Sequence, residues 1–391
     1  MPWKERLIME ERKRFIHAIM ESKQSFNATC LEFGISRKTG YKWLHRFEDG
    51  GYPGLEDQSR RPNSAPGQLP EGIVCDLIKL KLAHSSWGPK KIHTLFSRIH
   101  GETTPSLSSV NRIFMKAGLV KRRRVRKTSS GRLTSSIRIQ SPNDVWTIDF
   151  KGWWRTRARD RFEPLTVRDA YSRYLLEARS LPDTTTTSVQ QAFERLFKEY
   201  GLPRVIHSDN GAPFASRSNV RGISKLSAWL ISLGIHIHHS RPGHPQDNGG
   251  HERMHKDLKE EVQVRYLGDA KLYQAELDRW RDEFNTIRPH EALGMKTPAE
   301  IYHPSERKYK VAPDRIEYPS DYQVRKVSAY GEIKIKGNNY FITTALRKYM
   351  LGLKVVNASQ MAVYFASVFL GKVDLETVSF TPYQNEMSFE K

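Results

Sequence analysis

Three carboxylic acids stand where their type and setting suggest chemistry. Asp149 interrupts the apolar segment 145–150, Asp209 precedes Asn-Gly, and Glu252 follows a Gly-Gly pair. A buried aspartate is costly unless it is paired or bound to a metal. Carboxylate oxygens suit Mg²⁺, which keeps positions open for phosphate oxygens. Two such ions about 3.5–4 Å apart stabilise the attacking and leaving oxygens of a phosphoryl transfer. The three acids together therefore predict a phosphoryl-transfer site.

Strands and helices of the fold must bring these three acids together. Taken singly, two of the acids are also explained by structural roles without chemistry. Asp209 with Asn210-Gly211 is a good turn former, and Glu252 is favourable at a helix N-terminus. From residue 143 onward the pattern predicts an α/β layer with mixed strands in the order β-β-β-α-β-α-β-α. The predicted strands are 145–150, 163–168, 173–180, 204–209 and 235–238, and the predicted helices are 184–200, 223–233 and one from about 251.

The charge of the chain indicates a polyanionic partner, either nucleic acid or an anionic membrane. The net charge is +21 over 391 residues, and such an excess favours polyanion binding. Residues 1–142 carry a net +15, residues 143–303 carry +2 and residues 304–391 carry +4. Two cysteines exclude a disulfide framework. No apolar run is long enough for a membrane span, and the start lacks a signal-peptide core. We expect a soluble protein of a reducing compartment that acts on nucleic acid.

The first fifty residues have the pattern of a helix-turn-helix. Residues 6–22 and 28–33 have helical periodicity, and the second segment breaks at Gly34. Ser36 is a suitable N-cap for a basic helix that follows, and such a helix can enter a major groove. The alternative is an ordinary three-helix bundle with a solvated basic face. The candidate DNA contacts are Arg37, Lys38, Lys42 and Arg46.

A second helical unit and a basic segment follow. Residues 71–83, a helix starting near Pro89 and residues 106–117 predict three further helices, a second small DNA-binding unit. The segment 121–142 is basic and rich in Ser and Thr. It is either a flexible linker or an arm that tracks phosphates, which would steepen the salt dependence of binding. The candidate contacts in it are Arg122, Arg123, Arg124, Arg126 and Lys127.

At four motifs the chain resembles a known family. The segments 146–152, 207–211, 242–253 and 284–302 are similar to those of DDE transposases of bacterial insertion sequences, whose core is of the retroviral-integrase type. The resemblance implies a ribonuclease-H-like fold with a catalytic, metal-binding triad of Asp149, Asp209 and Glu252. It also implies two Mg²⁺ ions per site, with Mn²⁺ as a substitute, and contacts from Lys256 and Lys259 to the DNA end.

The resemblance implies a function as well. The expected protein is an insertion-sequence transposase that binds the terminal inverted repeats of its element, cleaves the 3′ ends and transfers them to target DNA. The expected partners are double-stranded DNA and further copies of the chain in a dimer or larger synaptic complex, with no membrane. The expected location is cytoplasmic, at the prokaryotic nucleoid. An alternative from the same family is a catalytically inactive DNA-binding regulator.

One feature departs from this expectation, and a second motif competes with it. Between Asp209 and Glu252 lie 42 residues, more than in many relatives, and we place the extra length in a surface loop at about 216–225. The run 251–255 also fits the HExxH zinc-protease motif, with Glu276 or Glu283 as a third ligand. The Gly-Gly pair before the run disfavours that interpretation, and so does the absence of the motif's extended form. It would also leave the other two acids and the basic N-terminal third without a use.

The sequence therefore predicts a multidomain protein. Residues 322–376 alternate as strands around a Gly337-Asn-Asn turn, which predicts a small C-terminal β-barrel-like domain. The predicted division is a helix-turn-helix domain at 1–55, a linker at 56–70, a second helical DNA-binding domain at 71–120, a basic linker or arm at 121–142, an integrase catalytic core at 143–303 and a small β-rich domain at 304–391.

Overall fold

The computed structural model describes most of the chain. Its described residues are 8–21, 24–59, 69–120, 138–216, 219–241, 248–265, 267–310 and 316–383. Internal contacts divide the chain into two compact units, Met1–Leu69 and Pro70–Lys391. No helix in the described ranges is long and apolar enough to cross a membrane.

The first unit contains three helices and a closing 3-10 turn. They are α1 (Ile8–Glu21), α2 (Phe26–Glu32), α3 (Arg37–Gly50) and the turn Tyr52–Leu55. The predicted cap is confirmed, because the Ser36 hydroxyl accepts the Thr39 N–H at 3.2 Å. A small core of Phe15, Ile16, Cys30, Ile35, Trp43 and Leu55 holds the helices together.

Gly40 is an unfavourable residue inside α3, and packing explains its presence. A Cβ atom at this position would lie 2.6 Å from Cys30 Sγ and 3.0 Å from a ring carbon of Phe15. Glycine therefore lets α3 lie close against α1 and α2, and this close packing offsets its low helix propensity.

The second unit begins with the second helical segment. It contains α4 (Glu71–Ala83), α5 (Pro89–His100) and α6 (Leu107–Lys116), so the three predicted helices are confirmed. Pro89 occupies the first turn of α5, where its missing N–H is harmless. The helices enclose a core of Leu77, Trp87, Ile92, Phe96, Val110 and Phe114.

A mixed five-stranded sheet follows, and its strand order is β5-β4-β1-β6-β7. Strands β1 and β6 pair in parallel, as do β6 and β7, whereas β4 lies antiparallel to both β1 and β5. The strands are β1 (Val145–Phe150), β4 (Pro164–Asp169), β5 (Leu175–Ser180), β6 (Val205–Ser208) and β7 (His236–His239), with a small hairpin of β2 (Trp154–Arg155) and β3 (Arg161–Phe162). The predicted mixed α/β layer is therefore confirmed.

Helices cover both faces of this sheet. Alternation along β1 sends Trp146 and Ile148 into the core formed with α7 and α8, so Thr147 and Asp149 lie on the opposite face. That face is covered by α9 and α10. The sequence patterns predict the start of α9 at about residue 251 but not its end, and they do not predict α10. The helices are α7 (Thr186–Tyr200), α8 (Lys225–Ser232), α9 (Gly249–Glu261) and α10 (Ala270–Thr286).

The C-terminal part is rich in β-structure, as predicted, but its described strands do not form a closed barrel. An antiparallel sheet has the order β14-β13-β12-β11-β8, and the hairpin β9–β10 pairs only with itself within the described residues. The strands are β8 (Tyr322–Lys326), β9 (Glu332–Ile335), β10 (Asn338–Phe341), β11 (Met350–Val355), β12 (Gln360–Phe365), β13 (Val368–Asp374) and β14 (Ser379–Pro382).

The predicted surface loop at 216–225 is partly buried instead. Ile223 is 4% exposed and lies in the core of the C-terminal sheet. The Thr343 hydroxyl also donates to Asn219 Oδ1 at 3.1 Å. The residues between Asp209 and Glu252 therefore help to join the mixed sheet to the C-terminal sheet. Alternation alone did not indicate this contact, because the apolar residues of the loop are few and dispersed.

Candidate active site

Strand pairing brings Asp149 and Asp209 to the same end of the sheet. The parallel register of β1 and β6 sets Thr147 opposite His207. Continued for two residues beyond this last pair, the same register brings Asp149 level with Asp209. Asp209 lies just beyond β6, and its Oδ1 accepts the Gly211 N–H at 3.1 Å. The turn predicted from Asp-Asn-Gly is therefore present at the end of β6, beside the end of β1 that carries Asp149.

Helix α9 carries the third acid. Its buried face consists of His251, Met254, His255, Asp257 and Leu258. Glu252 is exposed, as are Lys256 and Lys259 at positions four and seven further along. These three side chains share one face of the helix, which lies beside the face that is packed on the sheet.

The electrostatics connect the three carboxylates. Burial, the negative charge of Asp209 and, more weakly, that of Glu252 together raise the pKa of Asp149 to about 7, against the opposing effects of the Phe150 N–H and Lys151. The acids are therefore close enough to repel one another. A divalent cation would relieve that repulsion, and an all-carboxylate donor set fits a hard cation such as Mg²⁺. Among the described residues, no three His, Cys, Asp or Glu side chains already surround one metal position.

A hydrogen-bond network holds α9 on the strands that carry these acids. The Thr166 hydroxyl of β4 donates to the backbone carbonyl of Asp149 at 2.9 Å. Its oxygen also lies 2.9 Å from His251 Nε2 and 2.8 Å from His255 Nε2. Since a hydroxyl has a single proton, we infer that both imidazoles donate to Thr166. On the other side of the ring, His251 Nδ1 lies 2.9 Å from Thr147 Oγ1.

These two histidines are the pair in the HExxH run. Burial lowers the pKa of His251 well below its ordinary value and lowers that of His255 to about 3, so both are neutral at pH 7. Their Nε2 atoms face a threonine hydroxyl. The suggested third ligands are also engaged, because Glu276 pairs with Arg265 and Arg279 and Glu283 with His84. The geometry therefore favours a structural role for the histidines over zinc ligation.

Gly250 in the first turn of α9 is required by a close contact. Arg168 Nη1 of β4 donates to the Gly250 carbonyl at 2.7 Å. A Cβ atom on Gly250 would lie 2.2 Å from Arg168 Nη2. The Gly-Gly pair thus allows the start of α9 to rest on a buried guanidinium. The sequence signal for this contact is the glycine pair, which by itself indicates only the start of a helix.

The predicted DNA contacts have different surroundings. Arg37 and Lys38 are exposed on α3, whereas Lys42 and Arg46 lie over the Trp43 ring at 4.8 and 4.9 Å. Arg46 also donates to the Glu56 carbonyl at 2.6 Å. Arg122, Arg123, Arg124, Arg126 and Lys127 lie outside the described residues.

The second helical segment packs against α10 and the residues that follow it, within the same unit. The sequence patterns do not predict this contact. His84 Nδ1 lies 2.9 Å from Glu283 Oε1 of α10. Arg98 pairs with Glu300 at 3.0 Å. The guanidinium of Arg288 lies 5.7 Å from the centre of the Trp87 ring. The sequence signal for this contact is the Arg288-Pro-His segment. Arg288 is 2% exposed and pairs with Asp257 at 2.7 Å and with Glu261 at 3.2 Å.

Family models match the regions described above. Residues 140–245 and 233–298 match the integrase core domain. Residues 11–63 match a helix-turn-helix domain, and residues 39–114 match a homeodomain-like domain.

Several proteins of bacterial insertion elements and retroviruses are similar to this chain. An uncharacterized 39.2 kDa protein of insertion element IS476 from Xanthomonas euvesicatoria is 27% identical, over 63% of this chain and 69% of that protein. An uncharacterized 31.7 kDa protein of insertion element IS407 from Burkholderia multivorans is 24% identical, over 63% and 87%. The Gag-Pol polyprotein of bovine immunodeficiency virus is 30% identical, over 47% of this chain and 11% of the polyprotein.

Solved structures include two integrase cores. The catalytic core domain of BIV integrase is 26% identical, with a TM-score of 0.32 over 41% of this chain and 93% of that one. The catalytic core of HTLV-2 integrase in complex with magnesium is 18% identical, with a TM-score of 0.34 over 42% and 100%. From the family matches and the relatives together, the chain contains an integrase core domain preceded by helix-turn-helix domains and is homologous to proteins of bacterial insertion elements and to retroviral integrase cores.

Proposed function

We propose that this protein is an insertion-element transposase whose reaction uses Asp149, Asp209 and Glu252. The observation that carries the proposal is the position of Asp149, level with Asp209 in the sheet and within the field of Glu252. Three carboxylic acids within one another's electrostatic field are suited to hold divalent ions. The integrase core match and the insertion-element relatives support the same conclusion.

The proposed reaction has two transfers at phosphorus. In the first, a water oxygen bonds to the phosphorus at the element end, and the released 3′ oxygen takes up a proton. In the second, that 3′-OH attacks a phosphodiester of target DNA, so one ester bond forms as another breaks. Two Mg²⁺ ions, or Mn²⁺, when bound would supply Lewis-acid stabilisation of the attacking and leaving oxygens. The three carboxylates would hold them, while Thr166 and the two imidazoles orient α9 and β1.

The remaining parts of the chain are proposed to deliver DNA to this site. Helix α3 and the second helical segment would bind the terminal inverted repeats, with Arg37 and Lys38 as the exposed candidates on α3. The basic segment 121–142 would contact phosphates, and Lys256 and Lys259 would approach the DNA end beside Glu252. Since two ends must be joined to one target, we propose a dimer or larger assembly on DNA. We also propose that the chain is divided into domains at 1–55, 71–120, 143–303 and 304–391, with linkers at 56–70 and 121–142.

The test is a nicking assay on a labelled duplex that carries one element end, with Mg²⁺. Asp149→Asn and Glu252→Gln should each lower the rate on the order of 10²-fold or more, because each removes a metal ligand. Glu260→Gln, an exposed acid on the same helix, is the matched control and should leave the rate unchanged. Undiminished nicking in both triad variants would refute the assignment. Specific binding without any nicking by the unaltered protein would instead support the inactive regulator.

A further inference from the structure

A cationic cavity is lined in part by α9, the helix that carries Glu252. Its volume is about 390 Å³, and it is formed by α5, by β4 with the turn that follows, by the first half of α9 and by the segment after α10. Gly250 and Arg253 line it, and each is within two positions of Glu252. The basic and imidazole side chains in its wall are Lys91, Arg168, Arg173, Arg253 and His290.

The acidic residues of the wall are already paired. Asp257 forms an ion pair with Arg288 at 2.7 Å and another with Arg253 at 3.6 Å. Glu291 pairs with Lys90, which is not part of the wall, at 2.5 Å. The cavity therefore has a surplus of positive charge that its own carboxylates do not neutralise.

Two buried groups in the wall lack partners. Arg168 is 7% exposed and His290 is 6% exposed. Within the described part of the chain, Arg168 Nε and His290 Nε2 have no hydrogen-bond partner. A buried N–H without an acceptor is unfavourable, so the guanidinium of Arg168 is not fully satisfied by the described residues. Burial lowers the pKa of His290 to about 3, so its ring is neutral at pH 7 and the positive charge of the wall comes from its lysine and arginines.

Lys91 adds a positive charge to the wall, and its surroundings lower its pKa. Burial lowers its pKa to about 8, and the nearby charges of Arg288 and Arg253 also lower it, whereas Asp257 and Glu261 raise it. The ammonium is therefore still protonated at pH 7, in a place where positive charge is unfavourable. An anion in the cavity would stabilise this ammonium together with the neighbouring guanidinium groups.

We propose that this cavity binds a phosphate group of the DNA backbone. The inference rests on the proposed function, because it takes the bound polyanion to be the DNA substrate. Several guanidinium donors around one opening match the oxygens of a phosphate.

The experiment measures DNA binding by the full chain without divalent metal, so no catalysis is involved. Fluorescence anisotropy of a labelled element-end duplex is recorded over a range of salt concentrations. Lys91→Gln and Arg173→Asn are tested because both side chains are only partly buried, and asparagine tolerates the positive φ of residue 173. Lys198→Gln, an exposed lysine on α7 outside the wall, is the matched control. Unfolding curves of all variants check that each is folded.

Each wall variant should weaken binding and lower the slope of log K against log salt by about one, as expected for one lost phosphate contact. The control should keep the slope of the unaltered protein. Unchanged slopes in both wall variants would overturn the proposal. A parallel titration with inorganic phosphate separates the sources. If free phosphate binding is lost in the variants while the DNA slope is unchanged, the DNA assignment is overturned. A lowered slope together with an inactive nicking assay would support the cavity while contradicting the proposed catalysis.

Discussion

The Nδ1 atom of His255 lies 3.8 Å from Oδ2 of Asp149. The helix that carries Glu252 thus reaches the carboxylate of β1 through a side chain three positions further along. The same imidazole is held by the Thr166 hydroxyl, which also binds the backbone of Asp149. The relative position of the first and third acids therefore depends on one buried threonine.

Replacing that hydroxyl should impair the reaction more than the fold. Thr166→Val keeps the shape but leaves the Asp149 carbonyl and two imidazoles without their partner. Such outer-shell changes cost about 10–100-fold in metal affinity or activity, and we expect that loss in the nicking rate or in the Mg²⁺ concentration for half-maximal rate. Thr166→Ser keeps the hydroxyl and should retain most of the activity. Equal activity of the two variants would contradict a positioning role.

The two glycines that start α9 should respond differently to alanine. Gly250→Ala brings a methyl group against Arg168, and overpacking of this kind costs about 1–3 kcal/mol. Gly249→Ala is the matched control, because a Cβ there has no atom of the described residues within 4 Å. It should be neutral or stabilise by up to about 1 kcal/mol through helix propensity. Urea unfolding of both variants measures the difference, and similar midpoints would show that α9 can shift without cost.

Removing Arg288 should be strongly destabilising. Its side chain is 3% exposed and neutralises both Asp257 and Glu261. Arg288→Met leaves Glu261 without its ion pair and Asp257 with only the longer contact to Arg253, and breaking a buried pair in this way costs about 3–5 kcal/mol. Arg253→Met removes a longer and more exposed pair with Asp257 and should cost less than about 1 kcal/mol. The two free energies of unfolding should therefore differ clearly, and a loss below about 1 kcal/mol for Arg288→Met would contradict this account.

Lys91 should make the free energy of unfolding rise with pH in the alkaline range. Its pKa is about 8 in the folded chain and about 10.4 for an unperturbed lysine. Between these values the unfolded state binds more protons, so the free energy of unfolding rises with pH. Relative to Lys91→Met, the unaltered protein should gain stability from about pH 8 to about pH 10. Urea unfolding of both proteins across this range measures the gain. A difference that does not change with pH would show that the ammonium is not desolvated in the fold.

Much of the local structure follows from the sequence alone. The helices α1 to α8 and the strands β1, β4, β5, β6 and β7 are all predicted within a few residues, because apolar periodicity and caps such as Ser36 act over one or two turns. The strand and turn settings of Asp149 and Asp209 are equally local. The resemblance to integrase cores rests on short motifs, and the family matches confirm it.

Long-range pairing decided the rest. Only the register of β1 with β6 sets Asp149 beside Asp209, although 59 residues separate them along the chain. The histidines of the HExxH run are assigned to Thr147 and Thr166 by the way α9 crosses the sheet, not by their spacing. The docking of α5 on the core, the burial of Ile223 and the cationic cavity likewise join segments far apart in sequence. Such contacts depend on complementary shape and on which buried polar groups find partners, and a local pattern carries no record of either.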